Sequence, residues 1–263
     1  MSRGRILFLA LCLAGLISPA RIPAPAGQVA PSTSRPELIV AAAADLAFAL
    51  REIAPLFERE HQAKVTLTFG STGQLAQQIQ QGAPVDVFFA ANVAFVEGLR
   101  ARGAVFFDSV EPYAQGQIVL AVQGGRPPVS SLRELTRENV KRVAIANPAH
   151  APYGMAAREA MTSAGLWYQI QPKLVYGENI RQALQFLQTG NVDAAILALS
   201  VAQVPDVRYT QIDRNLYKPI IQAAAVTRRS QHPDLARTFI RFVNGPQGQP
   251  IMKRFGFILP GEF

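Results

Sequence analysis

At 263 residues with a net charge of +8, 49% hydrophobic residues and one cysteine, the chain can bury one large or two smaller cores. It is too thiol-poor for a disulfide scaffold or a thiolate metal site. Arg3, Arg5, Arg21 and Arg35 supply four of those charges, leaving +4 for residues 37–263. The basic pairs Lys141-Arg142, Arg228-Arg229 and Lys253-Arg254 are not interleaved with aromatics, so no nucleic-acid face is expected, while a mild positive field suits capture of a small anion.

The first residues read as a targeting segment. Arg3 and Arg5 precede an almost wholly apolar run over 6–17, and small residues with prolines follow, the pattern of a secretory signal peptide. That run falls short of the ~20 apolar residues that span a hydrocarbon core, and no later window approaches it. Ala24-Pro25-Ala26 before Gly27 competes with Ser18-Pro19-Ala20 as the cleavage site; the former gives a signal peptide over 1–26 and a proline-rich leader over 27–36. Cys12 lies in the apolar run with Leu11 before it, which disfavours lipid attachment. The mature chain is expected to be soluble, thiol-free and periplasmic.

From Glu37 onward strands and helices alternate. Leu38-Ile39-Val40 leads through four alanines to Asp45, and Leu46, Leu50, Ile53 and Phe57 then share one helical face, in a helix that Pro55 is expected to kink or split. A strand over 64–69 puts Val65, Leu67 and Phe69 on one side; Gly70-Ser71-Thr72-Gly73 and a helix through Leu75 and Ile79 follow. A buried strand over 85–90 precedes a helix over 93–102 closed by Gly103. The alternation continues with 117–122 extended, 132–139 helical, 143–146 extended and a helix after Pro152-Tyr153-Gly154. Residues 174–176 are then extended, 180–188 helical and 194–199 extended. Such βαβ order implies α/β layering with largely parallel sheets.

Several helices begin directly after a strand and a turn of small residues. A helix N-terminus has unpaired N–H groups and a positive dipole end, so it holds an anion without formal positive charge. Four such starts stand out, at Ala43-Ala44-Asp45, Ser71-Thr72-Gly73, Ala151-Pro152-Tyr153-Gly154 and Glu178-Asn179-Ile180, with Ser71, Thr72 and Tyr153 as hydroxyl donors. Taken singly, each is ordinary: Asp45 and Ser71 suit N-caps, Gly73 a turn and Tyr153 packing.

Taken together and in order, Ala41-Ala42-Ala43-Ala44-Asp45-Leu46, Gly70-Ser71-Thr72-Gly73, Gly82-Ala83-Pro84-Val85-Asp86-Val87-Phe88-Phe89-Ala90-Ala91 and Asn147-Pro148-Ala149-His150-Ala151-Pro152-Tyr153-Gly154 make the chain resemble the periplasmic molybdate-binding protein family. The ending, Gly245-Pro246-Gln247-Gly248 through Phe255-Gly256-Phe257, fits as well. The resemblance covers nearly the whole mature chain and implies a type II periplasmic-binding-protein fold: two α/β lobes, each a mostly parallel sheet flanked by helices, with the ligand in the cleft between them. Lobe I is then expected over 37–117 and 226–263, and lobe II over 118–225. The resemblance also implies a monomer that delivers molybdate, and tungstate with it, to the membrane permease of an ABC importer. No cofactor and no protein atom bonded to the metal are implied; the oxyanion is held through its oxygens by Ala44, Asp45, Ser71, Thr72, Tyr153 and Ile180.

Two departures bear on those roles. Many members have serine where this chain has Asp45, and a carboxylate facing a doubly negative ion is strongly repulsive in a dry cleft. The Asp45 side chain is therefore expected to cap its helix while its N–H serves the ligand. Many members also place a tyrosine after the late strand, where this chain has Ala198, and Tyr153 resembles the substitute hydroxyl.

Sulfate, phosphate and small organic anions are the rival ligands, and a secreted hydrolase is the rival from another class. His61, His150 and His232 occupy unrelated contexts, and no H-x-x-x-H spacing or G-x-S-x-G elbow occurs, so no catalytic residue is expected. Asp86 and Asp193 read as strand-end residues and His150 as a surface-loop residue.

Overall fold

Alternating apolar strands and amphipathic helices build two five-stranded sheets in the computed structural model, which describes residues 35–127 and 129–263. The signal peptide, the leader before Arg35 and Cys12 lie outside the described residues. In chain order the first elements are β1 (Glu37–Ala43), α1 (Ala47–His61), β2 (Lys64–Gly70), α2 (Thr72–Gln80), β3 (Val87–Ala90), α3 (Val93–Ala101) and β4 (Glu111–Gly116). The middle of the chain gives β5 (Ile118–Gln123), β6 (Val143–Ala146), α4 (Pro152–Ser163), α5 (Trp167–Ile170), β7 (Leu174–Gly177), α6 (Ile180–Gln188), β8 (Ala194–Ala198), α7 (Leu199–Ala202) and β9 (Val207–Gln211). The tail adds β10 (Ile220–Val226), α8 (Pro233–Val243) and α9 (Gly248–Arg254).

The first sheet has the order β2-β1-β3-β10-β4 and the second β7-β6-β8-β5-β9. The first three strands of each order run parallel, β10 and β5 run against them, and the outer β4 and β9 reverse again. Each sheet is thus mixed, with two parallel and two antiparallel pairings and four of its five strands pointing the same way. Two connections join them: the single residue Gln117 between β4 and β5, and the return from β9 to β10. Because β10 is hydrogen-bonded between β3 and β4, the chain re-enters the first sheet by Ile220, ahead of the expected return at 226.

Strand periodicity explains the packing of the first lobe. Successive side chains of a strand point to opposite faces, so Phe89 joins the core under α1 and α8 while Phe88 joins the one under α2 and α3. On the first face, Phe57 meets Phe239 edge-on with centroids 4.9 Å apart, and Phe239 lies 5.8 Å from Phe89. Burying each such ring contributes about 1.5–3 kcal/mol. The second sheet has a continuous core of its own, built on β5, β6 and β8 and the apolar faces of α4 and α6.

Three local expectations change. Helix α1 runs unbroken through Pro55, which lies on its exposed face, where water can satisfy the carbonyl that proline leaves unpaired. The helix expected over 132–139 is only a 3-10 turn at Leu132–Thr136. Strands β4, β9 and β10 were not legible as strands: β4 carries Pro112 and ends at Gly116, and most of β10 is alanine and glutamine. No described helix is long and apolar enough to cross a membrane.

Candidate functional site

In both lobes the turns that follow β1, β2, β6 and β7 lead into helices, and these turns meet at the carboxyl ends of the parallel strands, the usual ligand position in open α/β sheets. After β1 a 3-10 turn, Ala44–Leu46, opens α1; Ser71 opens α2, Ala151 opens α4, and Asn179 caps α6 by accepting from the N–H groups of Arg181 and Gln182. The four starts line one cavity of about 10 Å³, and its walls include all six residues singled out from the sequence: Ala44, Asp45, Ser71, Thr72, Tyr153 and Ile180. A space of that order is about what one water-sized group needs.

Asp45 is the most unusual of these. It is 1% exposed, and its Oδ2 accepts hydrogen bonds from the Tyr153 hydroxyl at 2.8 Å and from Gln222 Nε2 at 2.9 Å. Gln222 Nε2 also donates to the Tyr153 oxygen (2.8 Å), and the Tyr113 hydroxyl donates to Gln222 Oε1 (2.6 Å). Oδ1 has no hydrogen-bond partner among the described residues. The expected helix cap is not made: the residue in N-cap position is Ala43, and Asp45 stands two residues inside the turn, where its carboxylate cannot take the capping geometry.

Burial raises the Asp45 carboxyl to about 6, an effect that the Gln222 and Tyr153 hydrogen bonds, with smaller help from the nearby N–H groups of Asp45 and Leu46, only partly offset. Burial, then the Asp45 charge, pushes the Tyr113 and Tyr153 hydroxyls well above their ordinary range, so both remain protonated donors. Such close packing requires Gly116, where an added Cβ would collide with the Tyr153 hydroxyl and Gln222.

The hydroxyls expected to face a ligand have different fates. Thr72 Oγ1 accepts from Ala91 N at 3.1 Å and donates to no described residue, so its hydrogen is free for a cavity occupant. Tyr153 spends its hydrogen on Asp45. Ser71 Oγ donates to the His150 carbonyl at 2.8 Å and lies 2.7 Å from His150 Nδ1.

His150 is therefore no surface-loop residue but part of a clasp between lobes. Gly73 N also donates to its carbonyl (2.9 Å), Gln74 Nε2 donates to Glu178 Oε2 (2.7 Å), and His150 Nε2 stands 3.8 Å from the same carboxylate. Asp86 and Asp193 have the structural roles expected of them: the first accepts from Ile39 N, Ser230 Oγ and Gln231 N, the second from Lys141 N, Arg142 N and Arg126.

Beside the small cavity, and sharing Ala44 and Asn179 with it, a wider one of about 460 Å³ is lined by Phe48, Phe69 and Arg181. Arg181 lies over the Phe48 ring and Arg51 over Phe69, with guanidinium carbons 5.8 and 5.5 Å from the centroids. Two cations thus flank this wider cavity while the small one has no cationic side chain in its lining. Among the described residues no group of three or more His, Cys, Asp or Glu side chains could hold a metal ion.

Sequence reasoning missed Gln222, Tyr113 and Ser200, whose Oγ donates to the Asp45 carbonyl at 2.9 Å. Gln222 had one available signal: a lone polar residue amid Ile-Ile-Gln-Ala-Ala-Ala-Val demands a buried partner.

Comparison with known proteins identifies the family and the fold. Residues 38–258 match the family model described as bacterial extracellular solute-binding protein. Molybdate-binding protein ModA of Azotobacter vinelandii is 34% identical over 239 residues, covering 88% of this chain and 94% of that protein. Its counterpart from Rhodobacter capsulatus is also 34% identical, over 229 residues, covering 84% of this chain and 88% of that one. The solved structure of the Azotobacter vinelandii periplasmic molybdate-binding protein superposes with a TM-score of 0.79 at 29% identity, covering 85% of this chain and 99% of that one. The chain belongs to the bacterial extracellular solute-binding protein family.

Proposed function

We propose that this protein is the substrate-binding component of a molybdate ABC importer, that it carries tungstate as well, and that it binds its cargo without transforming it. The observation that carries the reading is the meeting of four helix N-termini, two from each lobe, at one compact cavity with no cationic side chain in its lining. Such a site holds an anion by oriented N–H groups. In this reading the N–H groups around Ala44, Asp45, Ser71 and Ile180 and the Thr72 hydroxyl contact the oxyanion oxygens, and Tyr153 acts chiefly by holding Asp45. Two lobes, parting after 117 and rejoining ahead of Ile220, close over the ion. The names of the relatives support the choice of molybdate.

The remaining roles follow from that reading. Export through a signal peptide over 1–26 would deliver a monomer to the periplasm, where the closed form docks on the membrane permease, and the cations Arg51 and Arg181 would steer anions inward. Calorimetric titration of the mature protein tests the assignment: tight one-to-one binding of molybdate and tungstate is expected, with sulfate and phosphate far weaker. Equal affinity for sulfate would sink the molybdate reading.

A further inference from the structure

Asp45 lines the small cavity, whereas Gln222 and Tyr113 do not. Both side-chain hydrogen bonds to the carboxyl, from Tyr153 at the cavity wall and from Gln222 outside it, are spent on Oδ2, and Oδ1 has no hydrogen-bond partner among the described residues. An ionised carboxylate offers only acceptors, and so does a fully deprotonated oxyanion. Lone pairs facing lone pairs in a buried site repel. One proton on Oδ1 turns that repulsion into a hydrogen bond.

We propose that Asp45 engages the anion as its neutral acid, with Oδ1–H donating to an anion oxygen, so that each unprotonated dianion is bound together with one proton taken from solvent. This rests on the anion-binding reading above. The surroundings favour it. Burial already brings the carboxyl to about 6, so the proton is readily available near neutral pH, and a bound dianion draws it on further.

The groups that face Asp45 supply no competing charge. Tyr153 from α4 and Tyr113 from β4 stay protonated, and Gln222 from β10 is neutral. The contact from α7 is the Ser200 hydroxyl, made to the Asp45 backbone. Arg181 of α6 and Arg51 of α1 stack on Phe48 and Phe69, and His150 is engaged with Ser71 and Glu178.

The carboxyl then sorts oxyanions by proton count. A dianion without a proton, such as molybdate, needs the acid form. Hydrogenphosphate brings its own proton, which ionised Asp45 accepts without any uptake from solvent. Selectivity for molybdate over phosphate should accordingly narrow as pH rises above about 6.

Titration calorimetry with molybdate in pairs of buffers of different ionisation heat, at pH 5.5, 6.5 and 8, tests this on the mature protein. The wild type should take up close to one proton per ion at pH 8 and much less at pH 5.5. Its affinity should fall by up to tenfold per pH unit above about 6. Asp45→Asn keeps a neutral side chain with a donor, and should bind with an affinity independent of pH and with no proton uptake. Wild-type binding that is flat with pH and free of proton uptake overturns the inference and leaves the anion reading standing. So does a folded Asp45→Asn protein that retains the wild-type slope or fails to bind at any pH. Absence of molybdate binding by the wild type at every pH overturns both.

Discussion

The Tyr153 hydroxyl donates to Oδ2 of Asp45 over 2.8 Å, linking the start of α4 in the second lobe to the turn before α1 in the first. The two residues are 108 positions apart in sequence, and the bond exists only while the lobes are together. The contact between the lobes and the candidate anion site thus share one hydrogen bond. Tyr153→Phe should break the link while keeping the ring packed. Losing a hydrogen bond to a buried charged group costs about 1.5–3 kcal/mol, so denaturant unfolding at pH 7.5 should show a loss of that order. At pH 5 the loss should shrink, because Asp45 is then largely protonated. Equal losses at both pH values would separate Tyr153 from the Asp45 charge.

Asp45 itself makes the ligand-free protein sensitive to pH in a calculable direction. Its folded-state value of about 6 lies above the ordinary 3.8, so the folded state binds the proton more tightly. Folding is unpenalised by this group below about pH 3.8. The penalty grows as pH rises from there to about 6 and is complete above it, at roughly 2–3 kcal/mol. Asp45→Asn should remove that penalty. Urea unfolding without anion should find the variant more stable than wild type at pH 7.5, with the gain largely gone at pH 4. A variant equally or less stable at pH 7.5 would contradict the buried-carboxyl account.

The helix starts were legible because each is a local pattern: apolar strand, small polar turn, amphipathic helix. Local chemistry of this kind located the four starts, and the six residues that the family resemblance singled out in them are among the twelve that line the cavity. The network around Asp45 was not legible, because Gln222 reaches Asp45, and Tyr113 reaches Gln222, only through β10 and β4, two strands whose alanine, proline and glycine content hides them from strand periodicity. Asp45 was read as a cap for a related reason. The sequence identifies it as a residue type that caps helices, but its place relative to the first turn depends on where the 3-10 turn begins, one residue earlier at Ala44.

Thr72 joins stability and binding in a single hydroxyl, accepting from Ala91 N while keeping its hydrogen for the cavity. Thr72→Val preserves shape and removes both. Molybdate affinity should fall by about 1.5–3 kcal/mol if the lost bond is charge-assisted, and a buried N–H left unpaired should lower stability by about 1–3 kcal/mol. Thr72→Ser should restore much of each. If calorimetry and unfolding show Thr72→Val unchanged in affinity but destabilised, the hydroxyl serves Ala91 alone.

Gly73 offers a way to test closure apart from folding. It lies near the start of α2, where its N–H donates to the His150 carbonyl, and an added Cβ would come within 2.7 Å of that oxygen and 3.0 Å of the His150 Cβ. A backbone carbonyl cannot yield as a flexible side chain can, so the two lobes must separate to admit the methyl group. Alanine is otherwise better than glycine inside a helix, by roughly 1 kcal/mol, and the first lobe should fold at least as well as before. Gly73→Ala is thus expected to stay folded but to unfold somewhat earlier without ligand, because parting the lobes gives up the Tyr153–Asp45 bond, to bind molybdate more than tenfold more weakly, and to show a larger radius of gyration by X-ray scattering in saturating molybdate. Full affinity together with an unchanged radius would mean that α2 can shift to accommodate the methyl group, and that the bond from Gly73 to His150 does not set the closed geometry.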